Sequence, residues 1–193
     1  ELPQYIEKGE LPPNFWDKVK PLGINGLQIK DFGGPGLNTL DTGAILMEFM
    51  KIDCSLGLCF GVHNFLGMMT VEKLGNDEQR KRILVPAMNF DFLLGFGLTE
   101  PNFGSDASSL QTTATKVEGG YVLNGSKRWI GNAVNGNVII WARNTSEKDR
   151  IQGFYVEQGM KGFSAQKMEG KVSLRMIQNA AIELKNCFVP DRN

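Results

Sequence analysis

Residues 95–106 read GFGLTEPNFGSD and set two hydroxyls, Thr99 and Ser105, and two carboxylates, Glu100 and Asp106, on one turn-prone run behind the apolar FLLGFG. Paired carboxylates could serve acid–base chemistry. Hydroxyls and N–H groups released at a strand end suit a different task, receiving the polar edge of a bound cofactor. Pro101 and Gly104 make the run a loop, the first by fixing φ and the second by permitting positive φ.

Other chemistry is scarce. His63 is the only histidine, which excludes most His-dependent triads. Cys54, Cys59 and Cys187 form no Cys-x-x-Cys pair, and an odd count argues against a disulfide framework or a zinc site and for a reducing compartment. No metal ligands are nominated. GGPGL, residues 33–37, lacks the Lys-Ser/Thr that a phosphate loop requires and reads as a plain turn. The reactive chemistry is therefore expected elsewhere or in a bound cofactor.

The chain has 193 residues and is 41% hydrophobic, enough to bury a core, and its 21 basic residues balance its 21 acidic ones. A neutral balance gives no electrostatic footprint for nucleic acid or an anionic membrane. No apolar run is read as spanning a bilayer. Glu1 opens the chain without a signal-peptide pattern and PDRN closes it without a peroxisomal tripeptide, so both ends are read as cut.

The elements that must position the loop fall into two parts, helical to about residue 91 and β from residue 92 to 193. A short helix is expected over residues ~13–22, begun by prolines and ended at Gly23. Asn38 or Thr39 caps TLDTGAILMEFMKID, whose Leu40, Ala44, Ile45 and Met47 recur at helical spacing and read as core-facing. SLGLCFGVHNFLGMMTVEKLG is apolar on nearly all sides and reads as a central helix closed by Gly75 as a C′ glycine, with His63 as packing rather than a ligand. Asn76 and Gln79 form a capping box for the next helix. Beyond it the period changes: Gly119-Gly120 marks a hairpin between residues ~112–118 and ~121–130. NVIIWAR, IQGFYVEQG, FSAQKM and AIELKNCFVP supply further short strands. The fold class is α+β: a helical N-terminal domain followed by a small antiparallel β-barrel or sandwich domain.

In this order, GFGLTEPNFGSD, VLNGSKRWIGN, VIIWAR, GMKGFSA and GKVSLRMIQNAAIELKNCFVP resemble the N-terminal and middle domains of the acyl-CoA dehydrogenase and oxidase superfamily, most of all short-chain acyl-CoA oxidases of the plant type and glutaryl-CoA dehydrogenases. The resemblance implies FAD as cofactor, an acyl-CoA substrate, α,β-dehydrogenation to the trans-2-enoyl-CoA and a homo-oligomeric enzyme. It implies flavin contacts at Phe96, Leu98, Thr99, Ser105, Trp129, Ile130 and Gly131. Ser105 matches the serine lying between the FAD pyrophosphate and the substrate, and Trp129 the indole packed against the isoalloxazine. Glu100 and Asp106 match positions that hold the loop.

Departures from the family pattern carry further expectations. Phe103 stands where the loop signature has a small residue. Gly131 replaces a threonine whose hydroxyl reaches the flavin in most family dehydrogenases, which favours oxidase behaviour and a peroxisomal over a mitochondrial location. Gly57 and Leu58 fall where glutaryl-CoA dehydrogenases present Arg and Ser to the distal carboxylate, so a monocarboxylic substrate is expected. The family's catalytic glutamate belongs to a C-terminal helical domain, so no catalytic residue is nominated here. The family's first helix is likewise expected to lie outside the chain. The sequence is thus read as a piece of a flavoenzyme, inactive alone, with an acyl-CoA dehydrogenase of the glutaryl-CoA type using electron-transfer flavoprotein, or a truncated ligand-binding or dimer-interfering module, as the alternatives.

Overall fold

The computed structural model describes residues 2–193, which divide into two compact units. Residues 2–94 and 169–178 form a helical unit, and residues 95–168 and 179–193 form a β unit.

In the helical unit α1 (Leu2–Lys8) and α2 (Phe15–Val19) precede α3 (Thr39–Ile52), and the short helix expected over residues ~13–22 is α2 extended by a 3₁₀ turn at Lys20–Leu22. Asn38 caps α3 by accepting the Asp41 N–H at 3.0 Å. The expected core stripe of α3 is corrected: Leu40 and Met47 are 83% and 60% exposed, and the buried positions are Thr42 and Phe49. Leu40, Ala44 and Met47 do share a face, but within this unit Phe49, Ile45 and Leu46 on another face pack against Leu56 and Phe60. Spacing finds a stripe and does not say which stripe is covered.

From Cys54 to Leu74 the chain is helical without a break: α4 (Cys54–Gly61), a π-helical stretch at Val62–Met68, and α5 (Met69–Leu74). By length and composition alone this run could cross a membrane, contrary to the sequence reading, but 61% of its apolar window is buried inside the structure, as befits a core helix. Gly75 caps it in an extended conformation rather than the left-handed one expected. It is needed for space, because a Cβ there would fall 2.6 Å from the Val71 carbonyl oxygen. α6 (Asp77–Met88) opens with the full Asn76/Gln79 capping box. Residues 169–178 lie with this unit, and Met176 is wholly buried among Val19, Leu27, Phe49, Leu56 and Phe60.

The strands are β1 (Leu94–Gly97), β2 (Thr113–Val117), β3 (Gly120–Ile130), β4 (Asn137–Asn144), β5 (Arg150–Val156), β6 (Phe163–Lys167) and β7 (Ala180–Pro190). They form one seven-stranded sheet in the order β1-β4-β2-β3-β7-β6, with β5 paired to β4. The hairpin is a two-residue turn at Glu118-Gly119, with Gly119 at φ +74° and Val117 paired to Gly120. The expected antiparallel pairing is corrected at β2, which runs parallel to β4 through Thr113–Arg143 and Ala114–Asn144. Inward residues of β3, β4, β5 and β7, among them Leu123, Ile140, Val156 and Ile182, close into one core.

Candidate functional site

In β3 the register against β7 slips between Lys127, opposite Ile182, and Ile130, opposite Ala180, so the strand carries one extra residue. Such a bulge re-aims side chains. Here it puts Arg128 and Trp129 on the outside in succession, with Trp129 at φ +65° and 53% exposed. The Trp129 carbonyl accepts from the Asn179 side-chain amide at 3.0 Å, and the Arg128 guanidinium stands 5.3 Å over the indole. A left-handed, half-exposed tryptophan costs backbone strain and leaves apolar area in water, which a planar ligand would cover.

The end of β1 lies along this bulge. The Lys127 ammonium donates to the Leu98 carbonyl at 3.0 Å, and the Arg128 N–H donates to the Thr99 carbonyl at 2.9 Å. A Cβ at Gly95 would fall 2.8 Å from the Gly131 carbonyl oxygen and 3.5 Å from Ile130, so β1 also passes close to that pair. Phe96 is half-buried and meets Trp141 edge-on at 5.7 Å. The Leu98 N–H turns back to the Phe96 carbonyl at 3.2 Å, whereas among the described residues the Thr99 N–H and hydroxyl have no hydrogen-bond partner. Phe96, Leu98, Thr99, Trp129, Ile130 and Gly131 therefore lie on two adjoining segments. Ser105 is exposed on the following loop, beside a Gly104 with open space at its Cβ position.

Glu100 and Asp106 do not form an acid–base pair. The Glu100 and Phe103 backbones exchange N–H···O bonds of 3.0 and 3.3 Å, closing the turn between them. The Glu100 carboxylate accepts from the Gln111 N–H at 2.7 Å, the Thr112 N–H at 2.8 Å, the Thr112 hydroxyl at 2.5 Å and the Lys127 ammonium at 2.9 Å. Burial pushes its pKa up, but the bonds from Thr112, Gln111 and Lys127 together outweigh burial and hold it below the usual carboxylate range. Burial lowers the Lys127 pKa, and Glu100 restores part of that shift. Asp106 accepts the Ser108 hydroxyl at 2.9 Å, and hydrogen bonds from Ser109 and Ser108 hold its pKa low.

Sequence reasoning missed Lys127. A signal was present: Lys127 lies in register with inward-facing Leu123 on β3, where a lysine is costly unless a carboxylate meets it.

The surfaces fit a flavin: an exposed indole for a flat ring, an uncommitted N–H and hydroxyl at Thr99 for carbonyl oxygens, and an uncommitted Ser105 hydroxyl for an anionic oxygen. Among the described residues no group of three or more His, Cys, Asp and Glu could hold a metal, and no disulfide joins Cys54, Cys59 or Cys187.

Residues 2–91 match the acyl-CoA dehydrogenase N-terminal domain and residues 95–187 the acyl-CoA dehydrogenase middle domain. The chain belongs to the acyl-CoA dehydrogenase family. It is 31% identical over 184 residues to the mitochondrial isovaleryl-CoA dehydrogenase of Solanum tuberosum, covering 93% of this chain and 45% of that protein. A glutaryl-CoA dehydrogenase from Mycobacterium smegmatis, in complex with FADH2, matches with a TM-score of 0.91 at 29% identity over 98% of this chain and 48% of its own. Butyryl-CoA dehydrogenase from Megasphaera elsdenii matches with a TM-score of 0.90 at 31% identity over 98% of this chain and 52% of its own. The chain spans about half the length of these relatives.

Proposed function

We propose that this chain supplies the flavin-binding part of an FAD-dependent enzyme that dehydrogenates a short, monocarboxylic acyl-CoA between its α and β carbons. The observation that carries the reading is the Trp129 bulge set against the uncommitted Thr99 donors, within a chain of the acyl-CoA dehydrogenase family. When bound, the flavin accepts the hydride from the β carbon. Trp129 covers the ring and excludes water from it, Thr99 donates to its pyrimidine edge, and Ser105 donates to an anionic or thioester oxygen. The α-proton is not assigned to Glu100, whose carboxylate is buried and fully engaged.

The short monocarboxylic substrate is supported by position 57. Gly57 is buried in α4, and a Cβ there would fall 2.6 Å from the Met50 sulfur of α3. The place matched to a carboxylate-binding arginine is taken up by a helix–helix contact. The experiment competes butyryl-CoA with glutaryl-CoA on the native protein under anaerobic conditions and follows flavin bleaching. Bleaching by butyryl-CoA, with the larger kcat/KM, is expected; no bleaching by any short acyl-CoA overturns the reading, and preference for glutaryl-CoA overturns its monocarboxylic part.

A second reading concerns the electron acceptor. Gly131 is buried and offers no hydroxyl where a threonine is expected, which favours molecular oxygen as acceptor and a peroxisomal enzyme. The mitochondrial isovaleryl-CoA dehydrogenase of potato favours a matrix enzyme instead.

A further inference from the structure

We propose that Lys127 is a positioning residue for the cofactor: its buried ammonium fixes the Leu98–Thr99 peptide plane and so presents the Thr99 N–H to the flavin's pyrimidine edge. The inference rests on the FAD reading above.

A trans peptide is planar, with its C=O and N–H pointing in opposite directions. The Leu98 carbonyl and the Thr99 N–H belong to one such plane. Lys127 Nζ holds that carbonyl at 3.0 Å from the inner side of the sheet, so the Thr99 N–H opens to the other side. The next plane is held too, since the Thr99 carbonyl accepts the Arg128 N–H at 2.9 Å. Both peptides flanking Thr99 are thereby fixed from β3, one by a side chain and one by the backbone. The N–H so aimed has no acceptor among the described residues.

The side chains of Lys127 and Glu100 are 0% and 5% exposed. A buried ion pair commonly returns less than its desolvation costs, and apolar residues of similar volume would serve a core as well or better. What apolar residues cannot supply is a donor to the Leu98 carbonyl. Glu100 makes the ammonium tolerable there, and its bonds to Gln111 and Thr112 fix its own place. Lys127 thus differs from a core brace in one respect: it touches the loop carbonyl directly.

The test compares FAD dissociation constants, flavin reduction potentials and thermal midpoints in the native protein. Lys127→Met combined with Glu100→Gln removes both charges and leaves one amide oxygen where two carboxylate oxygens accept the Gln111 and Thr112 N–H groups, and the thermal midpoint reports any stability the double variant loses. Thr112→Val is the contrast, weakening the Glu100 cluster without touching the Lys127–Leu98 bond. The double variant is expected to bind FAD about 10- to 100-fold more weakly, the effect of one buried hydrogen bond lost, and to hold it at a lower potential. Thr112→Val is expected to lose thermal stability while keeping FAD affinity within about threefold. A double variant that matches the wild type in affinity and potential, or loses no more affinity than Thr112→Val, overturns the role of Lys127 alone. Wild-type protein that binds no FAD overturns the flavin reading and this inference with it.

Discussion

The Nδ1 of His63 accepts the Leu94 backbone N–H at 2.9 Å, which fixes the proton on Nε2, 3.1 Å from the Ala87 carbonyl. Each ring nitrogen has its own partner in a wholly buried site, and a second ring proton would face the Leu94 donor. Burial therefore holds the pKa at about 4, below the ordinary 6.5, despite the Ala87 carbonyl, which raises it.

The first prediction is a pH dependence of stability. Between pH 6.5 and about 4 the unfolded chain takes up a proton that the folded one refuses, so stability is complete above 6.5 and falls as the pH drops towards 4. One such proton gives a slope of about 1.4 kcal/mol per pH unit. In His63→Gln, whose amide can accept from Leu94 and donate to Ala87 without titrating, urea unfolding across this range should show a slope smaller by that amount. An identical slope would mean that His63 titrates alike in both states.

The second prediction concerns the same helix one turn further on. A Cβ at Gly67 would fall 2.4 Å from the Leu94 Cβ and 3.3 Å from its carbonyl group. The obstacle is the base of a side chain and backbone, which cannot swing away. Gly67→Ala should destabilise the protein by about 1–3 kcal/mol despite alanine's better helix propensity, read as a lower urea midpoint. A stability gain would show that Leu94 yields freely.

The elements were legible where a local rule decides them: the Asn76/Gln79 box and the alternating strands stand where residue type and period put them, and the hairpin turns at Glu118-Gly119, one residue before the expected Gly119-Gly120. The bulge at Trp129 was not, because it depends on register against β7, some fifty residues away in the chain. The family resemblance marked Trp129 and Thr99, but not what aims them. For Trp129 that is the bulge itself, and for Thr99 it is the role proposed for Lys127, which becomes intelligible only when Glu100 and Leu98 are seen beside it. The outward face of α3 shows the same limit, since periodicity ranks stripes by composition and the partner decides which is covered.

The third prediction separates binding from folding at Trp129. The residue is half-exposed at φ +65°, a conformation that costs an L-residue about 1–2 kcal/mol and glycine nothing. Trp129→Gly should leave the flavin-free protein as stable as before or up to about 1 kcal/mol more stable. FAD should bind more weakly by about 2 kcal/mol, or roughly 30-fold, through the loss of apolar contact with the ring. Equilibrium dialysis and thermal melts on the same samples check both halves. Affinity unchanged in the variant would make Trp129 a surface residue with no part in the site.

The last prediction concerns the electron acceptor. Gly131 is buried next to Ile130, and its φ is not among the positive ones, so a threonine can adopt its backbone conformation without left-handed strain. Substitution there adds a hydroxyl and two carbons beside the residues assigned to the flavin, which both fills space and supplies a donor. If space at this position admits oxygen, the native enzyme reduced with butyryl-CoA and mixed with air-saturated buffer should reoxidise quickly and release hydrogen peroxide, and Gly131→Thr should slow that step by about tenfold or more, the effect of about 1.4 kcal/mol on a barrier. Reductive bleaching by butyryl-CoA is the internal control, because a variant that no longer reduces has lost the site rather than the access. Slow reoxidation in the unsubstituted enzyme, with rapid turnover only on adding an electron-transfer flavoprotein, would assign the acceptor to a protein partner and leave Gly131 as a packing choice beside Gly95, whose own Cβ position already lies 2.8 Å from the Gly131 carbonyl.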